Sequence, residues 1–221
     1  MTKVAVMQPY LFPYLGYFQL INAVDEYVIM NDVAWMKKGF INRNTLKDNY
    51  TFTVPVLKAS QNKLINDIII SEGWATKLVE TIKHKYSNAP YFNKYKNFIE
   101  FIIRNCEANN FNKAATFALE EVCSLLGVST RIQHSTDFDV GHLKATTKIK
   151  QICKDLNADM YINPIGGRNL DMYQPEVFSP IKLRFIEGNF TLPRTSVIDL
   201  LFMHGENVIK QQIGKYELIE K

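Results

Sequence analysis

The sequence predicts an α/β protein with a mostly parallel sheet, and two observations carry that prediction. The first is a pair of near-continuous apolar runs, KVAVMQP at 3–9 and EYVIMNDV at 26–33, separated by a helical pattern. Strands of a parallel sheet read this way because both of their faces are covered. The second is that strand and helix signals alternate at both ends of the chain while the middle reads as helix alone. A helical insertion at about 74–127 within a single α/β domain spanning 1–221 is therefore expected.

Taken in order, the run at 3–9 is a short buried strand ending in a proline turn, after which Phe18, Leu20, Ile21 and Val24 begin a helix. EYVIMNDV is the second strand and ends on Asn31 and Asp32. YTFTVPV at 50–56 alternates with period two, and Pro55 confines it to an edge or a strand end. NDIIIS at 66–71 is a strand before a helix starting near Trp74. Helical spacing then runs from Gly73 to Gly127 through Leu78 and Ile82, Tyr95, Phe98 and Ile102, and Val122 and Leu125. TRIQHS at 130–135 reads as a strand, Ala145, Ile149, Ile152, Cys153 and Leu156 as one face of a helix, and DMYIN at 159–163 as a strand entering a glycine turn. KLRFIE at 182–187 is the last predicted strand. SVIDLLFMHG at 196–205 is a helix with a capping box from Ser196 to Asp199, closed by Gly205.

Composition bounds the function. The chain is 47% hydrophobic and 22% charged, the balance of a soluble globular protein. Its net charge of +4 suits an anionic small molecule and is too small to argue for nucleic acid. There is no apolar run of membrane-span length and no signal-peptide pattern, so a cytoplasmic protein is expected. Cys106, Cys123 and Cys153 lie far apart and form no CxxC pair, which points to buried thiols; the four scattered histidines suggest no metal site.

In an open α/β sheet, ligands bind beyond the carboxyl ends of the strands, so the turns after the strands are where chemistry is sought. The first turn is QPYLFPYLGYFQLI at 8–21, with Gln8, Pro9, Tyr10, Tyr14, Gly16 and Tyr17 as candidate binding residues; Gly16 would let a ligand or backbone come close. Its rings equally suit core packing. The second is NDVAWMKKGFINRN at 31–44. Residues 31–63 hold six basic side chains (Lys37, Lys38, Arg43, Lys47, Lys58, Lys63) against two acidic ones (Asp32, Asp48), a local excess that equals the net charge of the whole chain. With Trp35, Phe40, Asn42 and Asn44 interleaved, this segment suits an anion that carries a ring, and a solvated basic face over a buried tryptophan is the plainer reading. The third is NPIGGRNL at 163–170, where the amides of Gly166 and Gly167 could face a phosphate beside Arg168. The fourth is RTSVID at 194–199, where Arg194, Thr195 and Ser196 meet a helix start. Asp32 and His134, the latter followed by Asp137 and Asp139, are the candidate proton-handling groups.

Tyr14-Leu15-Gly16-Tyr17 has the spacing of the H-x-G-H signature of nucleotidylyltransferases and pantothenate synthetases, with both histidines replaced by tyrosine. That resemblance implies a nucleotide-binding sheet, HUP- or Rossmann-like, and departs from the family at the two residues that would touch phosphate. Across nearly the whole chain, QPYLFPYLGYFQLI, NDVAWMKKGFINRN, LKASQNKLINDI (57–68), KATTKIKQICKDLNAD (144–159) and SVIDLLF resemble the WbqC-like family. The resemblance implies an enzyme of nucleotide-sugar and O-antigen biosynthesis. One chemistry suited to it is amide formation on an amino sugar by acyl or aminoacyl transfer, for instance of glycine. ATP or an acyl thioester would then be the co-substrate, with no tightly bound cofactor, a nucleotide-linked amino sugar as partner and room for a homo-oligomer. A non-catalytic nucleotide-sugar-binding or scaffold protein is the alternative it leaves open.

Overall fold

The first apolar run is a strand, β1 (Lys3–Met7), whose Val4, Ala5 and Val6 are all buried. Burial of successive residues means that both faces are covered, and the computed structural model, which describes residues 1–37, 39–189 and 191–221, shows why. β1 lies inside a six-stranded sheet, between β2 (Glu26–Ile29) and β8 (Met160–Pro164). β7 (Arg131–His134) extends the sheet beyond β2, and β9 (Lys182–Gly188) then β10 (Tyr216–Ile219) extend it beyond β8. Five strands are parallel; β10 alone runs antiparallel, on β9. The mostly parallel α/β prediction holds.

Alternation along the strands splits the core into two layers. Ala5, Tyr27, Ile29, Ile162 and Ile186 point to the face covered by α1 (Leu15–Asn22) and α7 (Val197–Ile213). Val4, Val6, Val28, Tyr161 and Phe185 point to the other face, against Ile149, Ile152 and Cys153 of α5 (Ala145–Asp155) and Phe178 of α6 (Pro175–Phe178). The predicted helical stretch is three amphipathic helices, α2 (Trp74–Tyr86), α3 (Phe92–Cys106) and α4 (Phe111–Leu126), packed as an outer layer on the α1/α7 side.

Four details differ from the sequence prediction. The alternating run at 50–56 becomes β4 (Tyr50–Thr53), which leaves the parallel sheet and pairs with β3 (Arg43–Leu46) in a separate antiparallel ribbon. The run at 66–71 yields only β6 (Ile69–Ile70), paired with β5 (Val56–Leu57) in a second ribbon. Ser196 does cap α7 by accepting from the Ile198 N–H, but Asp199 does not complete the box; its carboxylate instead accepts from the Tyr86 hydroxyl at 2.5 Å and the Thr195 hydroxyl at 2.6 Å. Gly205 breaks α7 without ending it: its backbone turns out at φ 74°, ψ 164°, and the helix resumes to Ile213.

The order of the strands places the site. From β1 the chain steps to β2 and β7 on one side, then returns to build β8, β9 and β10 on the other. The crevice at such a reversal is where ligands enter open α/β sheets, and here it lies between the carboxyl ends of β1 and β8.

Candidate functional site

A cleft of about 550 Å³ opens at that reversal. Met7 and Gln8 at the end of β1 and Pro164 at the end of β8 line it, and Tyr10 and Tyr14 from the turn before α1, with Gly16 in the helix's first turn, form one wall. Beside it lies a second compartment of about 570 Å³ that carries Arg43 and Arg194. Tyr10, Tyr14 and Phe40 line both, so they form the boundary between the two compartments.

The turn that supplies these tyrosines is held in an unusual shape. Phe12 adopts a left-handed backbone, φ 56°, which a bulky residue takes only when its surroundings enforce it. Its carbonyl accepts from Asn44 Nδ2 at 2.9 Å and from the Ser196 hydroxyl at 3.0 Å. The Leu11 N–H donates to the Ile41 carbonyl and the Val197 N–H to the Pro13 carbonyl, so the ribbon and the start of α7 clamp the turn from both sides. With Phe12, Phe18 and Leu20 fully buried beneath it, Tyr10 and Tyr14 are left on the cleft side.

The hydroxyls of the cleft differ in availability. Tyr17 is buried and donates to the Gln8 carbonyl at 2.6 Å, tying α1 to the end of β1; it borders the cleft with its ring. Burial pushes its phenol far above the usual range. Tyr10 donates to the Arg43 carbonyl at 3.1 Å, and burial pushes its phenol up to about 12. Burial also raises the Tyr14 phenol, against a downward pull from Arg194. All three therefore hold their protons at neutral pH and act as donors, never as bases. The Arg43 guanidinium sits 4.9 Å from the centre of the Phe40 ring, a cation–π pair at the boundary.

Other expected site residues take structural places. Trp35 is buried edge-on against Phe111 of α4, 5.1 Å between ring centres, and offers no stacking face. Asn42 donates to the Val54 carbonyl within the ribbon, while Asn44 and Ser196 serve the Phe12 carbonyl as described. Pro9 is buried and Lys58 is exposed away from the cleft. Gly167 packs against the Asn163 side chain, Gly166 faces open space, and Arg168 donates to the Glu220 carbonyl at 3.0 Å, so the glycine turn is tied to the carboxyl-terminal segment and not to the cleft. Lys38 lies outside the described residues.

Asp32 and His134 go to different partners. The Asp32 carboxylate is held by Lys148 Nζ of α5 at 2.6 Å and by the Ser135 hydroxyl at 2.5 Å; the lysine side chain is 5% exposed and the carboxylate 12%. His134 Nε2 meets the Thr116 hydroxyl at 3.1 Å in a separate polar groove beside α4. Asp32 thus anchors the end of β2 to β7 and α5, next to Ala145 and Ile149 of the cleft wall. The sequence did hint at this: Lys148 stands on the apolar face of its helix, a place that asks for a buried partner. Met36, Met172 and Tyr173, which complete the cleft, were not singled out from the sequence. Among the described residues no group of three His, Cys, Asp or Glu side chains is placed to hold a metal, and no helix is long and apolar enough to cross a membrane.

Fold and cleft together define an α/β protein with a ligand-sized crevice at the reversal of a mostly parallel sheet. The chain belongs to the WbqC-like protein family, whose model matches residues 8–211. It is similar to the uncharacterized protein Rv1507c of Mycobacterium tuberculosis, with 29% identity over 93% of this chain and 95% of that protein. No solved structure matches it.

Proposed function

We propose that this protein is an enzyme of nucleotide-sugar metabolism in surface-polysaccharide (O-antigen) synthesis, and that it forms an amide on the amine of a nucleotide-linked amino sugar by acyl or aminoacyl transfer. The observation that carries the reading is the shared boundary: an apolar cleft adjoins, across Tyr10 and Tyr14, a compartment bearing Arg43 and Arg194. Two guanidinium groups suit the diphosphate of a nucleotide sugar, which they can grip by charge-assisted hydrogen bonds. The sugar amine is then directed to the boundary, where the neutral Tyr14 phenol can donate to an acyl carbonyl as negative charge develops on its oxygen. We read the sheet as the nucleotide-binding type because the cleft beside that compartment lies beyond the carboxyl ends of β1 and β8.

Titration of the protein with UDP- and dTDP-linked amino sugars tests this. Arg43→Ala and Arg194→Ala should each weaken binding about 10-fold or more, the loss of a charged hydrogen bond, with little change in melting temperature. Wild-type affinity in both variants would remove the diphosphate site. Tight binding without any amide product from either ATP plus an acid or an acyl thioester would instead favour a non-catalytic nucleotide-sugar-binding protein.

A further inference from the structure

The apolar cleft has a composition that a purine or a free sugar does not call for. Four of the chain's seven methionines, Met7, Met30, Met36 and Met172, line this one cavity, together with Val33 and Ile149. Methionine side chains are unbranched, polarizable and adaptable, so a wall of them accepts apolar groups of varied length and shape. Two of the hydroxyls at its edge are engaged within the protein, Tyr17 with the Gln8 carbonyl and Tyr10 with the Arg43 carbonyl, beside the Gln8 side-chain amide and the Tyr14 hydroxyl. An alkyl chain needs only the apolar walls, which make up most of the lining.

We infer that the methionine-lined cleft is the acyl pocket of a thioester donor, carried on a pantetheine arm, and that the thioester carbonyl stands at the Tyr10–Tyr14 boundary. This rests on the amide-forming reading of the same site. With the acyl chain in the cleft and the sugar diphosphate at the arginines, amine and carbonyl meet where the two compartments join. The amine nitrogen attacks the thioester carbon, the C–N bond forms, and the C–S bond breaks with its electron pair leaving on sulfur. The nitrogen gives up one proton and the thiolate gains one, so amide and free thiol are the products and neither oxidant nor ATP is consumed.

Titration of the full-length protein with coenzyme A and with its acetyl, butanoyl, hexanoyl and octanoyl thioesters tests the assignment, alongside the same acyl groups on bare pantetheine. Each added methylene should tighten binding about three- to fourfold until the chain fills the cleft, on either carrier. The affinity gained on coenzyme A over bare pantetheine then distinguishes the free cofactor from a carrier protein's arm. Met36→Gln and Met172→Gln, both at partly exposed positions that leave the core intact, should flatten the series while the affinity for free coenzyme A stays as it was. A flat series in the parent protein, or displacement of octanoyl-pantetheine by adenosine, would overturn the acyl pocket. If nucleotide-sugar binding still depended on Arg43 and Arg194, the amide-forming reading would survive that result. Loss of the arginine dependence with an intact acyl series would remove that reading alone.

Discussion

The ring of Tyr14 lies directly over Gly16: a Cβ built on that glycine would stand 2.5 Å from Tyr14 Cε2 and 3.2 Å from its hydroxyl oxygen. Tyr14 is the residue before α1, and its ring folds back across the first turn because position 16 has no side chain. The Tyr-Leu-Gly-Tyr spacing is thus a packing device that aims a phenol at the boundary of the two compartments.

Gly16→Ala tests that relationship. Alanine favours a helix over glycine by about 1 kcal/mol, so the melting temperature should hold or rise. The Tyr14 ring must swing away, and the rate of amide formation should fall about 10-fold, the scale of one hydrogen bond to developing charge. An unchanged rate in a product assay would show that the ring's placement has no part in the reaction.

Lys148 and Asp32 make a prediction of the opposite kind, on stability first. Both are largely withdrawn from water and meet at 2.6 Å. Removing one partner of a buried pair leaves the other charge uncompensated, at a cost of about 3–5 kcal/mol. Lys148→Met should lose that much in urea denaturation, and adding Asp32→Asn should restore most of it, because the amide can still bond Ser135 without a charge. If the double variant is no more stable than the single one, the pair is not the reason for the lysine's burial.

Much of this architecture was legible in the sequence, for a physical reason. β1, β2 and β8 are covered on both faces and β9 nearly so, and their apolar runs announce it, whereas β7, with the sequence RIQH, lies at the sheet's edge with no residue fully buried. β3, with the sequence RNTL, and β10, with YELI, carry no such run; they are strands because β4 and β9 lie beside them, which only the folded chain decides. The site divides in the same way. Tyr10, Tyr14 and Arg43 come from segments with an evident concentration of rings and charge after a strand. Met172 and Tyr173 reach the cleft from beyond β8, and their own segment gives no sign of it. Trp35 and Asn44 misled because a tryptophan that stacks on a ligand and one that packs on Phe111, or an asparagine that binds a substrate and one that holds the Phe12 carbonyl, look alike in one dimension.

The Phe12 turn can be tested through its two supports. Asn44→Ala removes one donor to the Phe12 carbonyl, and Ser196→Ala removes the other together with the cap of α7. Each should cost about 1–3 kcal/mol, the serine more because its cap is worth a further ~1 kcal/mol. Since both act on one carbonyl, the two losses should couple by 0.5 kcal/mol or more in a double-mutant cycle, on the order of effects seen for shared partners. Strict additivity would mean that the turn keeps its shape without them.

Gly205 permits a sharper test of backbone strain. Its φ of 74° and ψ of 164° fall in a region that is nearly closed to other residues, and an added Cβ would come within 3.0 Å of the Tyr91 ring. Gly205→Ala should therefore destabilise the protein by about 1–3 kcal/mol even though alanine is the better helix former. A neutral or stabilising result in thermal denaturation would show that α7 can straighten through this position.

The three cysteines predict a pH dependence whose sign is fixed by burial. Desolvation pushes the thiols of Cys106, Cys123 and Cys153 from 9.0 up to about 12, so the folded chain holds protons there that the unfolded chain gives up. Below the unfolded value both states are protonated and the thiols leave stability unaffected; between about pH 9 and 12 the folded state binds more protons, and stability falls as pH rises. Tyr10, raised to about 12 from 10.0, adds to the loss in the upper part of that window. A series of urea midpoints should thus decline above about pH 9, and Cys153→Ala should make the decline shallower. The same burial keeps the thiols neutral near pH 8, so a thiol reagent should label them only as fast as the fold opens, and all at once in denaturant. Rapid labelling of any one of them in the native protein would show that its surroundings are open to water.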